Sequence, residues 1–217
     1  MRNPPVEIKI CGLSTPQTLE AAIAAGADLA GFVFFPPSPR NIDLDRAREL
    51  GAVAAGRIRK VALTVDADDA FIASIIEALK PDLLQLHGRE TPQRVAAVRA
   101  TFGLPVMKAI GVSTQADLAA VAAYEPVVDR ILFDAKPPKG AVLPGGNGNA
   151  FDWTILRDAV VRKPWMLSGG LDASNVAQAL QISGATAVDV SSGVESVPGV
   201  KDPQRIGQFI AAVRAGE

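Results

Sequence analysis

Residues 16–35, PQTLEAAIAAGADLAGFVFF, hold the unit from which the fold is read. An Ala-rich stretch of helical period at 16–25 stops at Gly26, and an apolar, β-rich run follows at 29–35. Glycine closes a helix because it adopts left-handed backbone without steric penalty. The same order of helix, glycine and strand returns at residues 181–193, QISGATAVDVSSG. The pattern extends along the whole chain. Strands are predicted at 6–11, 29–35, 59–65, 83–86, 106–110, 128–133, 165–168 and 187–190. Helices are predicted at 16–25, 44–55, 68–79, 92–101, 115–123, 152–159, 173–183 and 203–213. Gly56, Gly103 and Gly184 punctuate it as Gly26 does. Strands alternating with helices predict a parallel sheet with helical crossovers. Eight such units in 217 residues predict one closed (β/α)8 TIM barrel occupying residues 1–217, with an open doubly wound sheet as the alternative.

Composition narrows the function classes. The 48% hydrophobic content suits a sizeable core, and 22 basic against 23 acidic residues leave a net charge of −1. That balance recommends neither a nucleic acid nor an anionic membrane as partner. A lone Cys excludes an intramolecular disulfide and a multi-Cys zinc site, and a lone His excludes HExxH and clustered-His metal sites. The cysteine usage is compatible with a reducing cytoplasm. The start of the chain, MRNPPVEIKICG, lacks the apolar region of a secretory signal. The most apolar long stretch, 21–35, contains Gly26 and Asp28 and is too short to span a bilayer. No linker or low-complexity tail is visible. The longest Gly/Pro-rich stretch is 136–149, KPPKGAVLPGGNGN, long for a βα loop and therefore of functional interest.

Barrels of this kind keep their chemistry at the C-terminal ends of the strands. Four predicted strand ends carry suitable groups. Lys9 and Cys11 share one side of the first strand, and the loop beyond enters a helix. A thiol beside a lysine and a helix start is expected to have a lowered pKa and to serve as base or nucleophile, unless it is a small buried filler. Asp134 ends the apolar run ILFD as a candidate general acid, or else caps the next loop. Ser168-Gly169-Gly170 and Ser191-Ser192-Gly193 follow the seventh and eighth strands, the usual position of a phosphate site in these barrels. Glycines there let backbone amides approach an anion. Arg40 ends the stiff run FFPPSPR, either poised for a carboxylate or exposed on the surface. His87 ends the fourth strand on the same face as Gln85, lining the mouth or bonding a loop carbonyl. Closure would set the eighth strand beside the first, so Asp189 is expected to pair with Lys9 and either fix packing or tune Cys11.

Taken in order, KICGLS at 9–14, SPR at 38–40, QLHG at 85–88, LFDA at 132–135, GGNGNAFDW at 145–153, LSGGLDASNV at 167–176 and VDVSSGVESVPGVKD at 188–202 resemble the phosphoribosylanthranilate isomerase family. The resemblance covers nearly the whole chain. It implies a (β/α)8 barrel of tryptophan biosynthesis, which converts N-(5-phosphoribosyl)anthranilate to its 1-deoxyribulose phosphate isomer by an Amadori rearrangement. It implies neither cofactor nor metal, a small phosphosugar substrate, a cytoplasmic setting, and a monomer or homodimer. Residue by residue, it implies Cys11 as general base, Asp134 as general acid and Arg40 as the carboxylate contact. It further implies Gly169, Gly170, Ser191, Ser192 and Gly193 around the phosphate. Lys9, Gln85, His87 and Asp189 stand as supporting residues without assigned roles. Two departures are visible: LTVD at 63–66, where a more apolar end with Asn is expected, and the long loop after the sixth strand. The competing readings are another phosphosugar barrel, a non-catalytic phosphate binder, and a scaffold associated with other enzymes of the pathway. A metal-using epimerase would need more histidines. The related histidine-pathway isomerase would be expected to carry Asp at the position of Cys11.

Overall fold

The computed structural model describes residues 5–137, 140, 143, 145, 146, 148, 150–157 and 159–216. Eight parallel strands close into a barrel: β1 Glu7–Cys11, β2 Leu29–Phe34, β3 Arg59–Thr64, β4 Leu83–Leu86, β5 Val106–Val112, β6 Arg130–Ala135, β7 Trp165–Leu167 and β8 Ala187–Val190. The helices between and after them are α1 Pro16–Ala25, α2 Leu44–Ala54, α3 Asp69–Leu79, α4 Pro92–Phe102, α5 Val121–Tyr124, α6 Val176–Ser183 and α7 Pro203–Ala215. Their starts are fixed by side chains that accept backbone amides, among them Thr15, Asp43, Asp68, Thr91 and Asp202. Each such cap typically stabilises a helix by about 1 kcal/mol.

Strand alternation sorts the core into two layers. Residues facing out of the barrel, such as Ile8, Ile10, Phe32, Phe133 and Val188, pack beneath the helices. Residues facing in, Leu29, Val61, Leu83, Met107, Ala109, Leu132, Met166 and Ala187, fill the barrel interior. Nearer the C-terminal mouth, Cys11, Val33 and Leu63 form a small separate apolar cluster. The closing register sets Lys9 opposite Asp189 across β1 and β8.

The predicted alternation holds, with three differences. The predicted helix at 152–159 is only a one-turn 3-10 segment, Trp153–Leu156. Asp152 caps it through the Thr154 amide, but Val160, Val161 and Pro164 follow within a few residues. The β-branched pair and the residue before proline both disfavour helix. The predicted helix at 115–123 is mostly a 3-10 segment, Gln115–Ala120, that runs into the short α5. The sequence reading also missed a hairpin after β8, made of β9 Glu195–Val197 and β10 Val200–Lys201. No helix among the described residues is long and apolar enough to cross a membrane.

Candidate active site

The strand ends surround a pocket that opens at the C-terminal mouth. Cys11 of β1 and Asp134 of β6 both line it. In the closed order β1 to β8, four strands separate them one way round and two the other.

On the β1 side, Lys9 Nζ donates to Asp189 Oδ1 at 2.9 Å, and Ser168 Oγ donates to Asp189 Oδ2 at 3.3 Å. The expected Lys9–Asp189 pair is therefore present, fully within the barrel. Gly31 of β2 makes room for it: a Cβ there would lie 3.0 Å from both Cys11 Sγ and Lys9 Nζ. Burial works against a charged Lys9, but the Asp189 carboxylate and the Cys11 sulfur outweigh it, and the ammonium is held above its ordinary pKa. Cys11 corrects the expectation of a lowered pKa. Burial pushes the thiol up, Asp189 adds to the rise, and the pull of Lys9 and Lys201 only partly reverses it. Desolvation of a thiolate wins over two ion-paired lysines.

On the β6 side, Asp134 Oδ1 accepts the Ala135 amide at 2.9 Å, and its Oδ2 lies 3.2 Å from His87 Nε2. His87 Nδ1 lies in turn 2.9 Å from Gln85 Nε2. The two supporting residues named at the end of β4 are thus joined to Asp134, and among the described residues His87 bonds no loop carbonyl.

Arg40 is buried and lines the pocket, which removes the reading of an exposed surface arginine. Its Nε and Nη2 bind both oxygens of Glu195, at 2.7 and 2.9 Å, and Nη2 also donates to Gly146 O at 3.2 Å. Its stem lies over Gly12, where a Cβ would come within 2.7 Å of Arg40 Cδ. Lys201 Nζ donates to Glu195 Oε1 at 2.5 Å and to Ser191 O and Oγ at 3.0 and 3.1 Å. Ser191 Oγ passes the connection on to the Cys11 carbonyl at 3.1 Å. Burial works against ionisation of Glu195, but Arg40 and Lys201 more than reverse it and hold the carboxyl below its usual range. Burial pushes Lys201 down, against the pull of Glu195.

Sequence reasoning gave Glu195 and Lys201 no role. The signal was that an arginine held at a buried mouth requires a carboxylate partner. The partner lies in the hairpin that was itself not foreseen.

The two Ser/Gly turns come together. Gly169, Gly170, Ser191 and Ser192 line the pocket. Gly169 has φ +88°, and a Cβ there would sit 2.5 Å from the Ala135 amide nitrogen, so the turn needs glycine twice over. Gly193 packs behind the lining, where a Cβ would strike the Leu171 carbonyl. Asn175 ties the β7 loop by donating to Gly170 O at 2.9 Å. In the loop at 136–149, residues 138, 139, 141, 142, 144, 147 and 149 lie outside the described residues; Leu143, Gly145, Gly146 and Gly148 line the pocket.

A closed parallel barrel with a thiol, a carboxyl, an anchored guanidinium and two glycine turns at one rim has the layout of an enzyme of the (β/α)8 class. Residues 8–212 match the family model described as N-(5'-phosphoribosyl)anthranilate (PRA) isomerase. An N-(5'-phosphoribosyl)anthranilate isomerase of Rhodopseudomonas palustris strain BisB5 is 62% identical over 212 residues, covering 98% of this chain and 97% of the relative. One of Nitrobacter hamburgensis is 62% identical over 210 residues, covering 97% and 93%. Among solved structures, the Thermotoga maritima phosphoribosyl anthranilate isomerase superposes with a TM-score of 0.85 at 33% identity, covering 97% of this chain and 99% of that one. A phosphoribosyl anthranilate isomerase in complex with reduced 1-(o-carboxyphenylamino)-1-deoxyribulose 5-phosphate gives 0.83 at 31% identity, covering 97% and 99%. The chain belongs to the N-(5'-phosphoribosyl)anthranilate isomerase family.

Proposed function

We propose that this chain isomerises N-(5'-phosphoribosyl)anthranilate to 1-(2-carboxyphenylamino)-1-deoxyribulose 5-phosphate with Asp134 as general acid and Cys11 as general base. The isomerase activity and its place in tryptophan biosynthesis follow from the family; the residue roles are our reading. Asp134 protonates the furanose ring oxygen, and the ring opens to a protonated Schiff base. That iminium makes the C2 proton acidic. The Cys11 thiolate removes it, giving an enolamine that tautomerises to the ketone. The observation carrying this reading is that Cys11 and Asp134 face one pocket from well-separated strands, so acid and base address different sides of a sugar between them.

The remaining groups suit the rest of the substrate. Arg40, with Nε and Nη2 engaged by Glu195, offers its Nη1 side to the anthranilate carboxylate. The backbone amides of the turns at Gly169–Gly170 and Ser191–Gly193 suit the phosphate. The Ser191 hydroxyl is already engaged with Cys11 O and Lys201, so its share falls to the main chain. We read residues 1–217 as one cytoplasmic domain acting as a monomer or homodimer, without cofactor or metal. The near-neutral net charge of −1, the lone cysteine and the lone histidine support the cytoplasmic, metal-free part of that reading.

The test is a fluorescence assay with phosphoribosylanthranilate made in situ, with and without chelator. Wild-type activity that survives chelation and falls about 10²–10⁴-fold in kcat in both Cys11→Ala and Asp134→Asn supports the assignment. Near wild-type kcat in either variant overturns the role of that residue, and loss of activity on chelation overturns the metal-free reading.

A further inference from the structure

Gln85, His87 and Asp134 form a line of side chains across the mouth, from β4 to β6. Reaching from β4 to β6 means passing over β5. The inward positions of β5 there are Ala109 and, by alternation, Gly111, which lies beside Asp134 in the strand register. Neither carries a side chain large enough to block the imidazole. Gln85 is fully buried, and it stands two residues before His87 on the same face.

We propose that Gln85 fixes the tautomer of His87, so that the ring presents an Nε2–H to Asp134, and that both are positioning residues for the acid. The proposal rests on Asp134 being that acid. An amide nitrogen can only donate, so Gln85 Nε2 makes His87 Nδ1 an acceptor. A neutral imidazole then carries its proton on Nε2, where it donates to Asp134 Oδ2. With the Ala135 amide on Oδ1, one donor serves each carboxyl oxygen. Both bonds strengthen as Asp134 releases its proton and becomes a carboxylate, so they favour the transition state over the ground state. Gln85 Oε1 finds no partner among the described residues, so the amide is oriented by the histidine contact and not by its oxygen. Turning the amide over would require a proton on Nδ1, and the ring would then face Asp134 either as an imidazolium or with a bare Nε2.

The chain has one histidine, so imidazole nitrogen NMR of the untagged, uniformly ¹⁵N-labelled protein reports this ring alone. At the pH of maximal kcat, the wild-type spectrum is expected to show a protonated Nε2 and an unprotonated Nδ1. An Nδ1–H tautomer or an imidazolium overturns the proposal. Gln85→Leu keeps the bulk and removes the donor. It is expected to lose the single tautomer and about tenfold in kcat, with KM close to wild type. Gln85→Glu supplies an acceptor instead, and is expected to draw a second proton onto the ring. A Gln85→Leu variant with wild-type tautomer and kcat overturns the proposal. Asp134→Asn separates the two readings. Undiminished kcat in that variant refutes Asp134 as acid. Collapsed kcat together with a wild-type Nδ1–H ring refutes only the tautomer assignment.

Discussion

Cys11 and Lys9 illustrate how far one residue's chemistry depends on its neighbours. The thiol titrates above its ordinary range because burial outweighs Lys9 and Lys201, and Asp189 reinforces the rise. A base of this kind gains its active form as pH rises through the thiol pKa. kcat is therefore expected to climb on the alkaline side of the ordinary thiol value of about 8.5. Lys9→Met removes a cation that lowers the thiol pKa and leaves Asp189 unpaired, so the limb should move to still higher pH. Thiolate absorbance reads this directly, since the chain has one cysteine; a titration unchanged by the substitution refutes the coupling. The residues of this group were legible in the sequence, as was the Lys9–Asp189 pair, because closing the barrel sets the edge of β8 not taken by β7 against β1. The direction of the thiol pKa was not. Proximity to a lysine is visible in a sequence, whereas complete burial of both groups is not.

Single elements explain what the sequence concealed. Arg40 was visible as a rigid cation, but its partner Glu195 lies 155 positions further on, in a hairpin of two very short strands around Pro198-Gly199. Strands of three and two residues leave no alternation to read. Removing one member of a buried ion pair typically costs about 3–5 kcal/mol, because the other is left buried and uncompensated. Glu195→Ala is expected to lose stability of that order in urea unfolding, and to raise KM as Arg40 loses its orientation. A variant unchanged in both would show that the hairpin does not hold the guanidinium. The carboxyl pKa lies below the unfolded value, so the stability it brings is present above about pH 4.3 and lost as pH falls through the folded pKa. Acid unfolding should therefore begin at lower protein stability in Glu195→Gln, and its pH dependence should be shallower. In the β8 turn, Gly193→Ala would drive a methyl against the Leu171 carbonyl and part the two glycine turns. A rise in KM larger than the fall in kcat is expected; an unchanged KM would remove these turns from the phosphate site.

At the scale of the molecule, the helices around the barrel hold its strands in place by burying what faces outward. α7 closes the chain with Ile206, Phe209, Ile210 and Val213 buried, and Arg214 reaches back to the Val6 carbonyl before β1. Phe209→Ala should lower unfolding stability by about 3–5 kcal/mol while leaving KM unchanged, since its side chain lies under the helices and away from the mouth. A shift in KM would show that the outer layer shapes the pocket. The alternation was legible because strands such as β2, LAGFVF, and β7, WML, are continuous apolar runs, as parallel strands buried on both faces tend to be. The fifth and sixth units were the exceptions: residues 115–120 form a 3-10 segment, and Trp153, Ile155 and Leu156 give helical spacing to a segment that makes one turn only.

The inward-facing residues Leu29, Val61, Leu83, Met107, Leu132 and Met166 are all buried beneath the pocket. Among the described residues they close its floor, so it is a well that opens at the rim and not a tunnel. Whatever enters by the rim must leave by it, and the isomer formed there stands in the doorway of the next substrate. Product should accordingly inhibit in strict competition with substrate, raising apparent KM and leaving kcat untouched. Mixed inhibition would mean that product and substrate can occupy the enzyme together.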